Sequence, residues 1–224
     1  MGSYLIFILP ALILSIYAQF KVKSTFKKYS AVRSTKGITG RDVAVNLLRN
    51  NGISQVKVEA IQGKLTDHYD PSAHVLRLSE PVYGNDSIAA IGVAAHEVGH
   101  AIQHQQGYAP MALRQKIVPI TNFASTASFT ILLIGMIFVS SNLMLIGILL
   151  FSAVVLFHIV TLPVEYNASN RAVLQLSQIG LISNEEVPMV KKVLSAAALT
   201  YLAAALSAIA NLLYYVMIFF GSDD

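Results

Sequence analysis

The sequence predicts an α-helical membrane protein with about four transmembrane helices and an α+β domain outside the bilayer. Three observations carry this. Of the 224 residues, 54% are hydrophobic and 12% charged, where a soluble globular domain carries about 25% charged residues. The apolar residues gather in runs close to the ~20 that cross a hydrocarbon core. All 16 Lys and Arg fall within residues 21–116 or 171–192. A mean hydropathy of +0.58 agrees. This balance excludes an ordinary cytosolic domain, a disordered chain and a nucleic-acid-binding tail. There are no cysteines, so no disulfide framework or thiolate metal ligand exists, and any metal is held by nitrogen and oxygen.

The first apolar run, Tyr4 to Phe20, is followed by Lys21, Lys23, Lys27 and Lys28. A secretory signal places its positive charge before the apolar stretch, so residues 1–20 read as an uncleaved anchor. Gly40 to Asn51 reads as a short helix, with Ala44, Leu47 and Leu48 on one face and Asn51-Gly52 as its stop. Val56 to Ile61 alternates apolar and polar like a half-buried strand. Val75 to Leu78 reads as a second strand after the turn-like Asp70-Pro71-Ser72, and Asp67-His68-Tyr69-Asp70 as a polar loop. Asn85 or Ser87 caps a helix running to about Gln105.

Phe123–Val139 and Leu143–Leu162, separated by Ser140-Ser141-Asn142, read as a transmembrane hairpin that Pro163 ends. Leu199–Phe220 is a fourth membrane segment, or else a buried amphipathic helix. Basic residues favour the cytoplasmic side. Four crossings place every basic stretch on that side, and the amino terminus, the short turn and the acidic tail Asp223-Asp224 on the other. The expected organisation is an anchor (1–20), an extramembrane domain (21–120), the hairpin (121–163), a segment completing that domain (164–198) and a membrane-associated helix with a tail (199–224).

The capped helix contains His96-Glu97-Val98-Gly99-His100. Histidines at i and i+4 lie one turn apart on one face, so both can ligate one metal. The intervening Glu97 then sits where a general base must be. Zinc with two histidines needs a third protein ligand and an open position. His104 is eight residues from His96, about 12 Å along the axis, too far to share a metal with it on an unbroken helix. It reads as a polar residue near the helix end. Glu165, returned to the same side by the topology, is the better third ligand; the only other reading is an interfacial carboxylate paired with Arg171.

Taken with LTDHYDP, VLRLS and LPVEYNASNRA, the word HEVGHAIQH resembles the YugP-type membrane zinc metallopeptidases of bacteria. More distantly it resembles the HtpX-type and CAAX prenyl-protease-type gluzincins. The resemblance spans Gly40 to about Ala205. It implies a zincin-like metalloprotease domain with a substrate-binding edge strand, one Zn2+ per chain on His96, His100 and Glu165, and Glu97 as catalytic base. The HtpX-type pattern has Asp four residues after its Glu; here that position is Ser169. Ser169, Asn167 or a water is left to hold a zinc histidine.

Hydrolysis also needs a group to stabilise the oxyanion, with His68, Tyr69, Tyr166 and Arg171 as candidates. The strand Val75–Leu78 is expected to be the edge that accepts an extended peptide. The expected partners are a peptide or membrane-protein substrate, the lipid bilayer and other membrane proteins. Small-residue stretches such as Ala196–Ala198 and Ala203–Ala205 suit helix packing with such proteins or within the monomer. The expected location is the bacterial plasma membrane with a cytoplasmic site, and the resemblance suggests protein quality control. The competing readings are a non-catalytic zinc scaffold and an assembly factor.

Overall fold

A computed structural model describes residues 2–221; the acidic tail Asp223-Asp224 lies outside the described residues. The elements in order are α1 (Gly2–Ser30), α2 (Gly40–Asn50), β1 (Lys57–Ile61), β2 (His68–Asp70), β3 (Val75–Ser79), α3 (Glu80–Tyr83), α4 (Ile88–Gln105), α5 (Ala109–Ile137), α6 (Ser141–Gln178) and α7 (Val187–Gly221). Two compact units divide them. One takes the described residues of Met1–Gln19, Ala112–Pro163 and Thr200–Asp224, and the other takes Phe20–Met111 and Val164–Leu199.

The first unit is helical. Among the described residues, α5, α6 and α7 are long and apolar enough to cross a membrane. Small residues set its close contacts. Gly147 lies so near Leu132 that an added Cβ would fall 2.6 Å from the leucine Cγ, which brings the two hairpin helices together. Ser15 and Ser207 share a hydrogen bond of 3.1 Å. Ile13, Ile16, Phe129, Leu149 and Leu213 are exposed, the outward apolar surface expected of a bundle solvated by lipid.

The second unit is built around a three-stranded sheet and α4. Helix α2 starts on a capping box. The Thr39 hydroxyl accepts from Asp42 N at 3.2 Å, and the Asp42 carboxylate accepts from Thr39 N at 3.3 Å. It buries Val43, Ala44, Leu47 and Leu48 at helical spacing. The sheet order is β1-β3-β2, with β1 parallel and β2 antiparallel to β3.

Three expectations change here. Residues 68–70 are a strand, not a loop. Asp70 Oδ1 accepts from Ser72 N and Ala73 N, each at 3.0 Å, so the chain turns back tightly enough for the preceding residues to pair with β3. The strand at Val75–Leu78 is therefore central rather than an edge, and the free edges belong to β1 and β2. Its burial explains the misreading: Val75, Leu76, Leu78 and Ser79 are all buried, and a strand covered on both sides shows no alternation to mark it. Finally, Pro163 lies inside α6 and does not end it. Proline removes one backbone donor without stopping a helix whose remaining groups are satisfied by its surroundings. Glu165 is thus carried on the same continuous helix as the apolar run before it.

Candidate metal centre

Helix α4 holds the His-Glu-x-x-His word rigidly because both its ends are fixed. The Ser87 hydroxyl accepts from Ala90 N at 3.3 Å, and Asn85 Oδ1 accepts from Ser87 N at 2.8 Å. At the other end Gly107 adopts φ +62°, and Tyr108 N donates back to Gln103 O at 2.9 Å. Ile88, Ala89, Ala90, Ile91, Ala94 and Ala95 are buried in between, so the polar residues emerge from a packed surface.

The carboxylate comes from α6, and Gly99 lets it approach. A Cβ on Gly99 would lie 2.6 Å from the Ala168 carbonyl oxygen, so only glycine allows the two backbones this close. The approach places His96 Nε2 at 3.2 Å and His100 Nε2 at 3.5 Å from the same oxygen, Glu165 Oε2. The two imidazoles meet edge to face, 4.7 Å between centroids. His96, His100 and Glu165 each offer one ligand atom within 4.8 Å of the others. Glu165 is only 1% exposed.

The second nitrogen of each ring tests whether this set fits a metal. Gln103 Nε2 donates to Val164 O at 2.8 Å and to Asn167 Oδ1 at 2.9 Å. That commits the opposite end of the amide, Oε1, to accept from His100 Nδ1 at 3.0 Å. His96 Nδ1 lies 3.1 Å from Ser169 Oγ. Gln103 thus leaves the His100 Nε2 free to turn a lone pair to a cation, and Ser169 Oγ is placed to accept from His96 Nδ1 and do the same for His96, the tautomer a divalent cation requires. Two imidazoles and a carboxylate are a donor set that suits zinc. Replacing Ser169 with Ala is expected to weaken zinc affinity or activity about 10–100-fold, the usual cost of losing such a partner. Titration against a competing zinc chelator measures it.

Glu97 faces a different environment. Burial pushes its carboxyl up from an ordinary value of 4.5 to about 7. The His96 charge opposes that rise, the Glu165 and Asp67 carboxylates add to it, and a hydrogen bond from the Tyr69 backbone N–H opposes it. Asp67 is itself raised by burial and steadied by the Ser79 backbone N–H at 2.7 Å and the Ser79 hydroxyl. A raised carboxyl favours folding in its protonated form. The metal-free protein should therefore lose stability as pH rises from about 4.5 to about 7, by on the order of 3 kcal/mol from this group. Chemical denaturation of zinc-free protein at pH 5 and pH 8 checks this. Wild type should lose more stability across that interval than Glu97→Gln, and an identical loss in both would refute it.

The other candidates from sequence separate clearly. Tyr69 meets Glu97 through its backbone, while its hydroxyl lies 2.9 Å from His104 Nδ1. His104 stacks on His74 instead of joining the ligand group. His68 bonds Thr66 O at 2.8 Å and Arg77 at 3.3 Å. Arg171 does not pair with Glu165; it donates to Asn167 Oδ1 at 2.7 Å and Gln106 Oε1 at 2.6 Å. It thereby fixes the amide chain that ends at His100. Tyr166 is exposed and lines a cavity of about 250 Å³ beside Ser169. Sequence reasoning missed Gln103. Its only signal in the sequence was a polar residue three positions after His100, where a helix turn brings the two together.

The family described as "Putative neutral zinc metallopeptidase" matches residues 4–220. The chain belongs to that family. The protein named "Putative membrane protease YugP" of Bacillus subtilis (strain 168) is 54% identical to it over 216 residues, 96% of each chain. No solved structure matches the chain. The resemblance carried by HEVGHAIQH, LTDHYDP and LPVEYNASNRA is borne out. The sequence words and the convergent side chains fall inside the matched residues of one zinc metallopeptidase family.

Proposed function

We propose that the protein is a membrane-anchored zinc endopeptidase of gluzincin type, with a zincin-like domain holding one zinc per chain on His96, His100 and Glu165. The observation that carries this reading is the convergence of those three ligand atoms beside a buried Glu97. Bound zinc supplies Lewis acidity, which acidifies water and polarises a peptide carbonyl. Glu97 takes the proton of the attacking water on its carboxylate and delivers it to the leaving amine. A carboxyl raised by burial is suited to holding that proton between the two transfers. The Tyr69 N–H fixes the Glu97 carboxylate, Ser169 and Gln103 orient the two imidazoles, and Arg171 steadies the Asn167 amide. We assign the oxyanion to Tyr166, which is exposed one residue after Glu165, whereas the Tyr69 hydroxyl, His68 and Arg171 have other partners. Strand β2, paired on one side only, replaces the central strand as the edge for an extended peptide.

In this reading α1 makes a fourth crossing of the bacterial plasma membrane and the site faces the cytoplasm, in line with the Lys and Arg distribution. Tethering selects membrane proteins and their flanks as substrates, a quality-control role. A zinc scaffold needs no buried base and would close its site with a fourth protein ligand; among the described residues the ligand group has three members. Metal analysis and peptide cleavage by detergent-purified protein test the proposal together. About one zinc per chain, cleavage lost on chelation and restored by added zinc is the expected result. Wild-type protein that takes up no zinc would refute it.

A further inference from the structure

Helix α1 carries Lys21 and Lys28, seven residues apart and so two turns along one face. Helix α7 brings Lys191 and Lys192. All four line one cavity of about 530 Å³ within the second unit, and no acidic residue lines it. Among the described residues, none of the four ammonium groups reaches a carboxylate at salt-bridge distance. Four like charges around one concavity repel one another and focus a positive potential into it. Two hydroxyls on the same walls, Thr25 and Ser195, add hydrogen-bonding groups suited to phosphate oxygens. The volume suits a small polar headgroup.

Position selects the source of that phosphate. Lys21 follows directly on the apolar run of α1, and Leu199, at the cavity's other limit, opens the apolar run of α7. Lysines at the ends of membrane helices stand at the level of lipid headgroups, where anionic lipids attract them. We infer that this cavity binds the phosphate headgroup of an anionic phospholipid. Lys191 and Ser195 also line the cavity of about 250 Å³ that reaches Ser169. The two cavities thus share Lys191 and Ser195 as a common wall.

The test uses full-length protein in neutral detergent micelles, titrated with phosphatidylglycerol or phosphatidylcholine and read by native mass spectrometry. Zinc content and thermal melting report folding independently of proteolysis. Replacing Lys21, Lys28, Lys191 and Lys192 together with Gln should weaken phosphatidylglycerol binding at least tenfold, while phosphatidylcholine binding stays unchanged. The fourfold Arg variant keeps the charge and should retain binding. Lys23→Gln with Lys27→Gln, on the same helix but outside the cavity, should bind as wild type. If the fourfold Gln variant does not fold, Lys28→Gln and Lys191→Gln singly should each weaken binding about fivefold. Equal losses in the Lys23/Lys27 control and the cavity variant would overturn the inference in favour of diffuse surface charge. Displacement of the lipid by inorganic phosphate at equal concentration would overturn the lipid assignment.

Discussion

Glu97→Gln should lower kcat/KM for peptide cleavage by about 10³-fold or more while zinc stays bound at the wild-type level. The separation of the two readouts follows from geometry. The proposed ligand group is His96, His100 and Glu165, so the change leaves each of those ligand atoms in place. Gln is nearly isosteric with Glu and can keep the hydrogen bond from the Tyr69 backbone N–H. What it loses is the ability to accept a proton, and proton transfer by a positioned side chain is worth about 10²–10⁴-fold. The variant should also fold well, because an amide in a buried site is spared the cost of ionising there. Zinc analysis and steady-state cleavage of a membrane-derived peptide, run on one preparation, decide the matter. Cleavage at the wild-type rate would remove Glu97 from the mechanism. Loss of zinc along with cleavage would make it a structural residue of the site.

Much of this site was legible because its signals are local. The His96–His100 spacing fixes a shared face on any helix, and Asn85 or Ser87 announces where that helix starts. Glu165 was reached by a longer route, from the distribution of Lys and Arg to the side of the membrane to which the third segment returns. The illegible features depend on what packs against what. Pro163 reads as a stop because proline usually ends a helix, and nothing local reveals that α6 continues to Gln178. The word DHYDP reads as a turn; that His68–Asp70 also pairs with β3 is a long-range fact set by strand register. The role of Gly99 is hidden for the same reason. Inside the motif it is an unspecified position, yet it alone allows the Ala168 backbone to close in. Gln103 became meaningful only once the Val164 and Asn167 oxygens were seen to fix its amide, and with it the tautomer of His100.

Glu165→Ala should abolish zinc retention while leaving the metal-free protein folded. Glu165 Oε2 is the point on which both imidazoles converge, at 3.2 and 3.5 Å. Without it two neutral nitrogens remain, on one helix face, with no anionic ligand to offset a divalent charge. The loss of affinity should exceed the roughly 10–100-fold cost of removing an outer partner such as Ser169. The metal-free fold should lose stability as well, because, against the upward pull of burial, His96 and His100 hold the Glu165 carboxyl below its ordinary value. Removing one partner of such a buried charged contact costs about 3–5 kcal/mol. Thermal melting separates the two effects. Zinc bound only to the native state raises the melting temperature of wild type in proportion to the logarithm of its concentration. In Glu165→Ala that rise should vanish, while the melting temperature without zinc falls to a lower value that added zinc does not change. Glu165→Asp, one methylene shorter, should recover part of the zinc-dependent rise, because the charge survives and only the reach is reduced. A Glu165→Ala protein that still gains stability from zinc as wild type does would mean that the third ligand lies elsewhere.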